Sequence, residues 1–193
     1  MSPDAAPLTT PGEDAELMRR VQAGDEAALG ALMQRWELAV KAVIGRIVLN
    51  SSEAEELAQE TFVRVWEQRE KYRAGAAFRP WIFAISVNLA RNRLRWWKRR
   101  PVVALEDWTE ALPDEQVAGT TGTRGLERSE RASAVRDAVA GLPPDLREAL
   151  VLFEYERMSQ AEIAEAVGVS PKVVENRVAR AREKLRPALK SWM

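Results

Sequence analysis

Apolar residues along this chain recur at helical spacing, not at strand spacing. From position 54 to 66 they fall at Ala54, Leu57, Ala58, Thr61, Phe62, Val65 and Trp66, one face of a helix repeated over three turns. Asn50-Ser51-Ser52 reads as a turn before it, and Ser52 with Glu55 three residues on fits a capping box at its start. Upstream, Glu13 to Gln22 predicts a helix broken at Gly24-Asp25, and Asp25 can cap a second one through Leu29, Leu32, Met33 and Trp36. Tyr72 to Arg79 carries Gly75 and no period, so it reads as a loop. Pro80 then suits the first turn of a helix with Trp81, Ile82, Ile85 and Leu89 as its stripe. No segment alternates as a strand does. The expected fold class is all-α.

Composition divides the helices into two small domains. Residues 1–12 are Pro-rich and aperiodic and are expected to form a disordered tail, followed by a first helical unit over 13–100. Residues 101–131 hold Pro113, Gly119, Gly122, Gly125 and a Thr-rich patch, the composition of a flexible linker. A second unit covers 132–193. It opens with a helix over 134–140 ended by Gly141, and continues with one begun by Pro143-Pro144-Asp145 with Leu146, Ala149, Leu150 and Phe153 on one face. Ser159 and Glu162 form a capping box for Ile163, Ala164 and Val167, and Gly168 supplies the left-handed residue that ends that helix. Ser170 caps the next helix, Pro171 opens it, and Val174, Val178, Ala181 and Leu185 face inward. Short helix, tight Gly turn and second helix make a helix-turn-helix.

Charge refines this reading. Lys+Arg and Asp+Glu are both 29, which hides strong segregation. Residues 13–70 carry 12 acidic and 7 basic side chains; residues 71–100 carry 9 basic and no acidic ones. Residues 101–123 hold 5 acidic and no basic side chains, and residues 171–193 hold 7 basic and 2 acidic. Two basic blocks separated by an acidic one suggest two anion-binding surfaces, where a solvated helix face is the ordinary alternative. The chain has no cysteine and no histidine. Disulfides, thiolate metal sites, Cys nucleophiles and His-based acid–base chemistry are excluded. No cofactor is implied. No apolar run reaches the roughly 18–20 residues that span a bilayer, and the first residues lack a signal-peptide pattern, so a cytoplasmic protein without membrane insertion is expected.

The two basic blocks differ in kind. In the second, the helix after the Gly turn carries Lys172, Glu175, Asn176, Arg177, Arg180 and Arg182 away from its apolar stripe, behind the Ser170 cap. Polar side chains near a helix N-terminus suit base edges in a major groove, and cations further along suit phosphates. Asn176 can pair with adenine, Glu175 can accept from cytosine, and Arg177 can take guanine. In the first block Arg91, Arg93, Arg95, Lys98, Arg99 and Arg100 surround Trp96-Trp97, with Phe78, Arg79 and Trp81 upstream. Cations with aromatic neighbours suit opened DNA better than plain duplex. Trp81, Ile85 and one of the paired tryptophans are expected in the core.

These residues together resemble bacterial RNA polymerase sigma factors of the extracytoplasmic-function group, over roughly 13–189. The segment Ala54-Glu55-Glu56-Leu57-Ala58-Gln59-Glu60-Thr61-Phe62-Val63-Arg64-Val65-Trp66 looks like region 2.2. The segment from Phe78 to Asn88 with the Arg-rich helix looks like the −10 reader. Leu142-Pro143-Pro144 through Leu185 is similar to region 4. The resemblance implies a non-enzymatic factor that binds core RNA polymerase, recognises promoter DNA and melts its −10 region, with an anti-sigma factor as a further partner and no small-molecule substrate. It assigns Glu56, Gln59, Glu60 and Arg64 to the polymerase clamp. It assigns Phe78, Arg79, Asn88, Arg91, Arg95, Lys98, Arg99 and Arg100 to −10 DNA, and the polar residues of the last helix to the −35 duplex. Two departures stand out: Glu56 replaces the usual Asp, and Glu175 puts an acid where the family commonly has a base. Rival readings are a stand-alone helix-turn-helix regulator of duplex DNA, a carboxylate-based enzyme using Glu55 and Glu56, and a protein-binding adaptor.

Overall fold

The computed structural model describes residues 11–99 and 133–189. Among these, all regular structure is helical. α1 is Pro11–Gln22, α2 Glu26–Val48, α3 Ser51–Glu67 and α4 Phe78–Arg99, with a 3₁₀ turn at Arg69–Lys71. α5 covers 133–140. α6 is Pro144–Glu154, α7 Gln160–Val167 and α8 Pro171–Leu189. The linker expected over 101–131 lies outside the described residues, as do Arg100 and most of the tail.

Local chemistry explains most boundaries. Asp25 caps α2, accepting from the Ala28 amide at 3.1 Å. α1 begins two residues before the expected end of the tail, at Pro11, which needs no amide partner in a first turn. α3 also starts earlier than the Ser52 box predicts. Asn50 is the cap, extended at φ −143, and its Oδ1 accepts from the Glu53 amide at 2.8 Å. Asn serves as well as Ser in that position, so the turn was legible and its cap was displaced. Leu49 just before it sits at φ 62 with its amide on Gly45 O, closing α2.

α2 and α3 form a hairpin on which α4 packs, and α1 lies against α2. Leu32, Trp36, Val40, Leu57, Phe62, Val65, Ile82 and Phe83 are buried in this first unit. The Trp36 ring meets Phe78 and Phe83 edge-on, with centroids 5.9 and 6.0 Å away. Its indole N–H donates to Asp14, whose other oxygen accepts from Arg35 at 2.7 Å. A buried acid is thereby fully partnered. Gln22 ties the end of α1 to the carbonyls of Arg69 and Tyr72, fixing the approach to α4.

In the second unit α6, α7 and α8 pack on one another. The Ser159–Glu162 capping box is present in both directions, and Gly168 is left-handed at φ 71. Val174, Val178, Ala181 and Leu185 are all buried, as the stripe predicts. The two units also touch: α4 packs on α7 and α2 on α6, and one apolar cluster runs from Met18 to Val178.

Candidate nucleic-acid and polymerase interfaces

The hairpin of α2 and α3 presents an open side. Lys41 of α2 pairs with Glu55 of α3 at 2.9 Å, which sets the register of the two antiparallel helices. On that side lie exposed Gln59 and two apolar residues left in solvent, Leu38 (79% exposed) and Val63 (54%). Glu60 pairs with Arg64 at 3.1 Å, and Arg64 with Glu67 at 3.0 Å. Glu56 is drawn the other way, toward Arg93 of α4 at 2.9 Å, and Arg93 also bonds Glu53. Arg93 therefore fastens α4 to α3. Leu38 and Val63 were missed from sequence, although both lie off the buried stripes of their helices and so were findable.

The loop before α4 is shorter than expected. Phe78 and Arg79 belong to the helix, and only 72–77 are irregular, with Gly75 at φ 81. Tyr72 is buried, its ring 5.2 Å from Trp81 and its hydroxyl donating to Ala76 O. Phe78 is a correction. Expected to meet DNA bases, its ring is 2% exposed among Trp36, Tyr72 and Trp81. It completes the core stripe one turn before Ile82. Arg79 is half-buried, and its Nε has no hydrogen-bond partner. Asn88, Arg95, Lys98 and Arg99 are exposed, Arg95 bonding Asn92 within its own helix. Trp97 packs against the core while Trp81 and Ile85 sit at its edge.

α8 exposes Lys172, Glu175, Asn176 and Arg180, and Ser170 caps it weakly through the Val173 amide at 3.4 Å. Lys172 holds Glu175 at 2.8 Å, so the acid in the reading position carries its own counter-ion. Arg182 pairs with Glu154 at 2.6 Å and lies over the Phe153 ring.

Arg91 and Arg177 are further corrections. Both were expected on DNA, and both point into the seam between the units. Arg91 donates to both oxygens of Glu148, with Nε 2.7 Å from Oε2, and its Nη1 donates to Val167 O at 3.1 Å. Arg177 bonds Glu148 Oε1 at 3.2 Å and lies 3.7 Å from Asp145. Glu148 is the only carboxylate that meets both, among the described residues, and it is 2% exposed. The same seam holds Arg147, which reaches Ile47 O at 2.9 Å and Leu142 O at 3.0 Å; burial lowers its basicity from the ordinary guanidinium value. Arg46 lies 4.3 Å over the Tyr155 ring. Glu156 is buried nearby, and desolvation raises its pKa against the opposing pull of Arg79 and Arg46.

Among the described residues no group of His, Cys, Asp and Glu could hold a metal, and no helix is long and apolar enough to cross a membrane.

Known proteins place these surfaces in context. Residues 32–100 match sigma-70 region 2 and residues 132–185 match sigma-70 region 4. The RNA polymerase sigma-H factor of Pseudomonas aeruginosa is 33% identical over 190 residues, covering 94% of this chain and 96% of that protein. The ECF RNA polymerase sigma-E factor of Escherichia coli K12 is 32% identical over 174 residues, covering 88% and 91%. Among solved structures, CnrH in complex with the cytosolic domain of CnrY superposes at TM-score 0.68 with 26% identity, covering 93% of this chain and 98% of that one. The chain belongs to the sigma-70 family of RNA polymerase sigma factors, in its extracytoplasmic-function group. Members of that family are transcription initiation factors.

Proposed function

We propose that this sigma factor divides its work among three exposed surfaces. The open side of α2 and α3 grips the polymerase clamp, with Leu38 and Val63 as its apolar centre and Gln59, Glu60 and Arg64 as its polar rim; Glu56 contributes from the edge it shares with Arg93. Charge-depleted apolar centres with polar rims are the usual anatomy of protein interfaces. The loop over 73–77 and Asn88 hold opened −10 bases, while Arg95, Lys98 and Arg99 track neighbouring phosphates. α8 enters the −35 major groove with Lys172, Glu175, Asn176 and Arg180.

The observation that carries this reading is the pairing, on one chain, of a helix-turn-helix with exposed polar residues at its reading end and a second basic helix that has no acid in it. A plain duplex regulator has no use for the second. The domain division follows: residues 13–100 serve polymerase and −10 DNA, and 132–193 serve the −35 element across a linker. The factor performs no catalysis and works in the cytoplasm, where core polymerase is. CnrH was solved with the cytosolic domain of CnrY, and an RpoE with the anti-sigma factor NepR; a protein inhibitor of this class is the expected regulator here.

Run-off transcription with bacterial core polymerase and genomic fragments tests the reading. Discrete starts that share two upstream elements are expected. Specific duplex binding by the chain alone, with no starts, would return it to the stand-alone regulator.

A further inference from the structure

Two cations from two different helices meet one buried acid. Arg91 comes from α4 and Arg177 from the reading helix α8, and both bond the same oxygen of Glu148 on α6. Arg91 additionally caps the last turn of α7 through Val167 O, at the tight turn of the helix-turn-helix. A carboxylate gripped by two guanidinium groups reproduces what a backbone phosphate offers them: a planar or tetrahedral anion with several acceptor oxygens.

The arrangement is incompatible with engaging both promoter elements at once. Elements centred near −10 and −35 lie about 25 base pairs apart, on the order of 85 Å along the duplex. In this structure the cations of the two helices share a single oxygen. The 33 residues between Arg99 and Ser133 have an extended contour on the order of 110 Å, so the chain is long enough to let the units separate. What must break is the seam: the Glu148 contacts, the Arg147 bond to Ile47 O and the Arg46–Tyr155 stack.

We propose that Glu148 is an internal latch, an anion built into the fold that holds the free protein closed and that promoter DNA must displace. The latch ties the fate of the two DNA-binding units together, since releasing Arg91 from Glu148 also releases the group that holds Arg177. It rests on the DNA roles proposed above for α4 and α8.

The chain has no cysteine, so paired spin labels can be placed cleanly at Ala27→Cys on α2 and Glu183→Cys on α8, both exposed. Electron–electron distance measurements on the full chain should give one short population. Glu148→Gln keeps the shape and one acceptor but removes the charge. It should add a long, broad population and tighten binding to a promoter duplex at least about fivefold, the gain expected when the closed fraction that suppresses binding is released. A distance distribution identical to the parent, or opening without tighter binding, overturns the latch. If Glu148→Gln does not fold, the parent protein decides. Adding promoter DNA must convert its short population to the long one, and retention of the short population on DNA overturns the proposal. Run-off activity of the parent separates the two ideas: transcription with an unopened protein sinks the latch alone, whereas absent transcription removes the sigma reading beneath it.

Discussion

At the scale of single residues, burial decides what each charge can do. Asp14, Glu148 and Glu156 are all nearly inaccessible, yet their surroundings differ. Asp14 meets Arg35 and the Trp36 indole, and Glu148 meets two arginines. Glu156 has an oxygen with no hydrogen-bond partner. Its pKa is raised because desolvation exceeds the attraction of Arg79 and Arg46. A carboxyl whose folded pKa lies above its unfolded one weakens the fold wherever it is ionised, and the penalty fades as pH falls through the raised value. Glu156→Gln should therefore raise the melting temperature at pH 7 to 8. The advantage should shrink on acidification and vanish below the ordinary carboxylate range, where both states hold the proton. Thermal melts of both proteins from pH 4 to 8 check this; a lower melting temperature for the variant at pH 7 would mean that the two arginines outweigh burial.

At the scale of elements, caps and turns place the reading helix. α7 is only eight residues long, too short to persist by propensity alone, so its ends matter. Ser159→Ala removes the oxygen that accepts from the Glu162 amide at 3.2 Å but leaves the reciprocal bond at 2.8 Å. It should cost about 1 kcal/mol, roughly 2–4 °C in a chain of this size, and weaken −35 binding only to the extent that α8 loses its seat. Differential scanning calorimetry beside duplex titration reads both effects. Elements of this kind were legible because their signals are local: Ser159, Glu162, Gly168 and Pro171 each act within one turn of themselves. The apolar face of α3 and the stripe of α8 were legible for the same reason, by period. What was not legible depends on residues far apart in sequence. Arg91 and Glu148 are 57 positions apart, and nothing near either announces the other. Phe78 looked like a loop aromatic because the helix it begins is recognised only from Pro80 onward, and its core neighbours Trp36 and Tyr72 come from elsewhere. Leu38 and Val63 were overlooked because a polar face draws attention to its charges and away from its apolar gaps.

At the scale of the whole molecule, net neutrality conceals a division of charge that the fold keeps apart. The acids of α3 are engaged with Lys41, Arg64 and Arg93, whereas the exposed end of α4 and the outer face of α8 are cationic. If those two surfaces hold promoter phosphates, deleting one of their cations leaves a phosphate un-neutralised, and fewer counterions leave the DNA on binding. Arg99 lies exposed in the last turn of α4 and Arg180 exposed on α8, on opposite sides of the linker. Arg99→Ala and Arg180→Ala should each shallow the plot of log affinity against log salt by about 0.9 for every phosphate left un-neutralised. Because the two act on separate promoter elements, their effects should add in the double variant, and neither should move the melting temperature appreciably. Affinity measured with polymerase holoenzyme from low to physiological salt supplies the slopes. A slope changed by Arg180→Ala alone would leave α8 as the sole phosphate-binding surface and remove the basic end of α4 from promoter contact. Equal, additive changes would mean that one chain holds a promoter at two points joined by a segment long enough to span them.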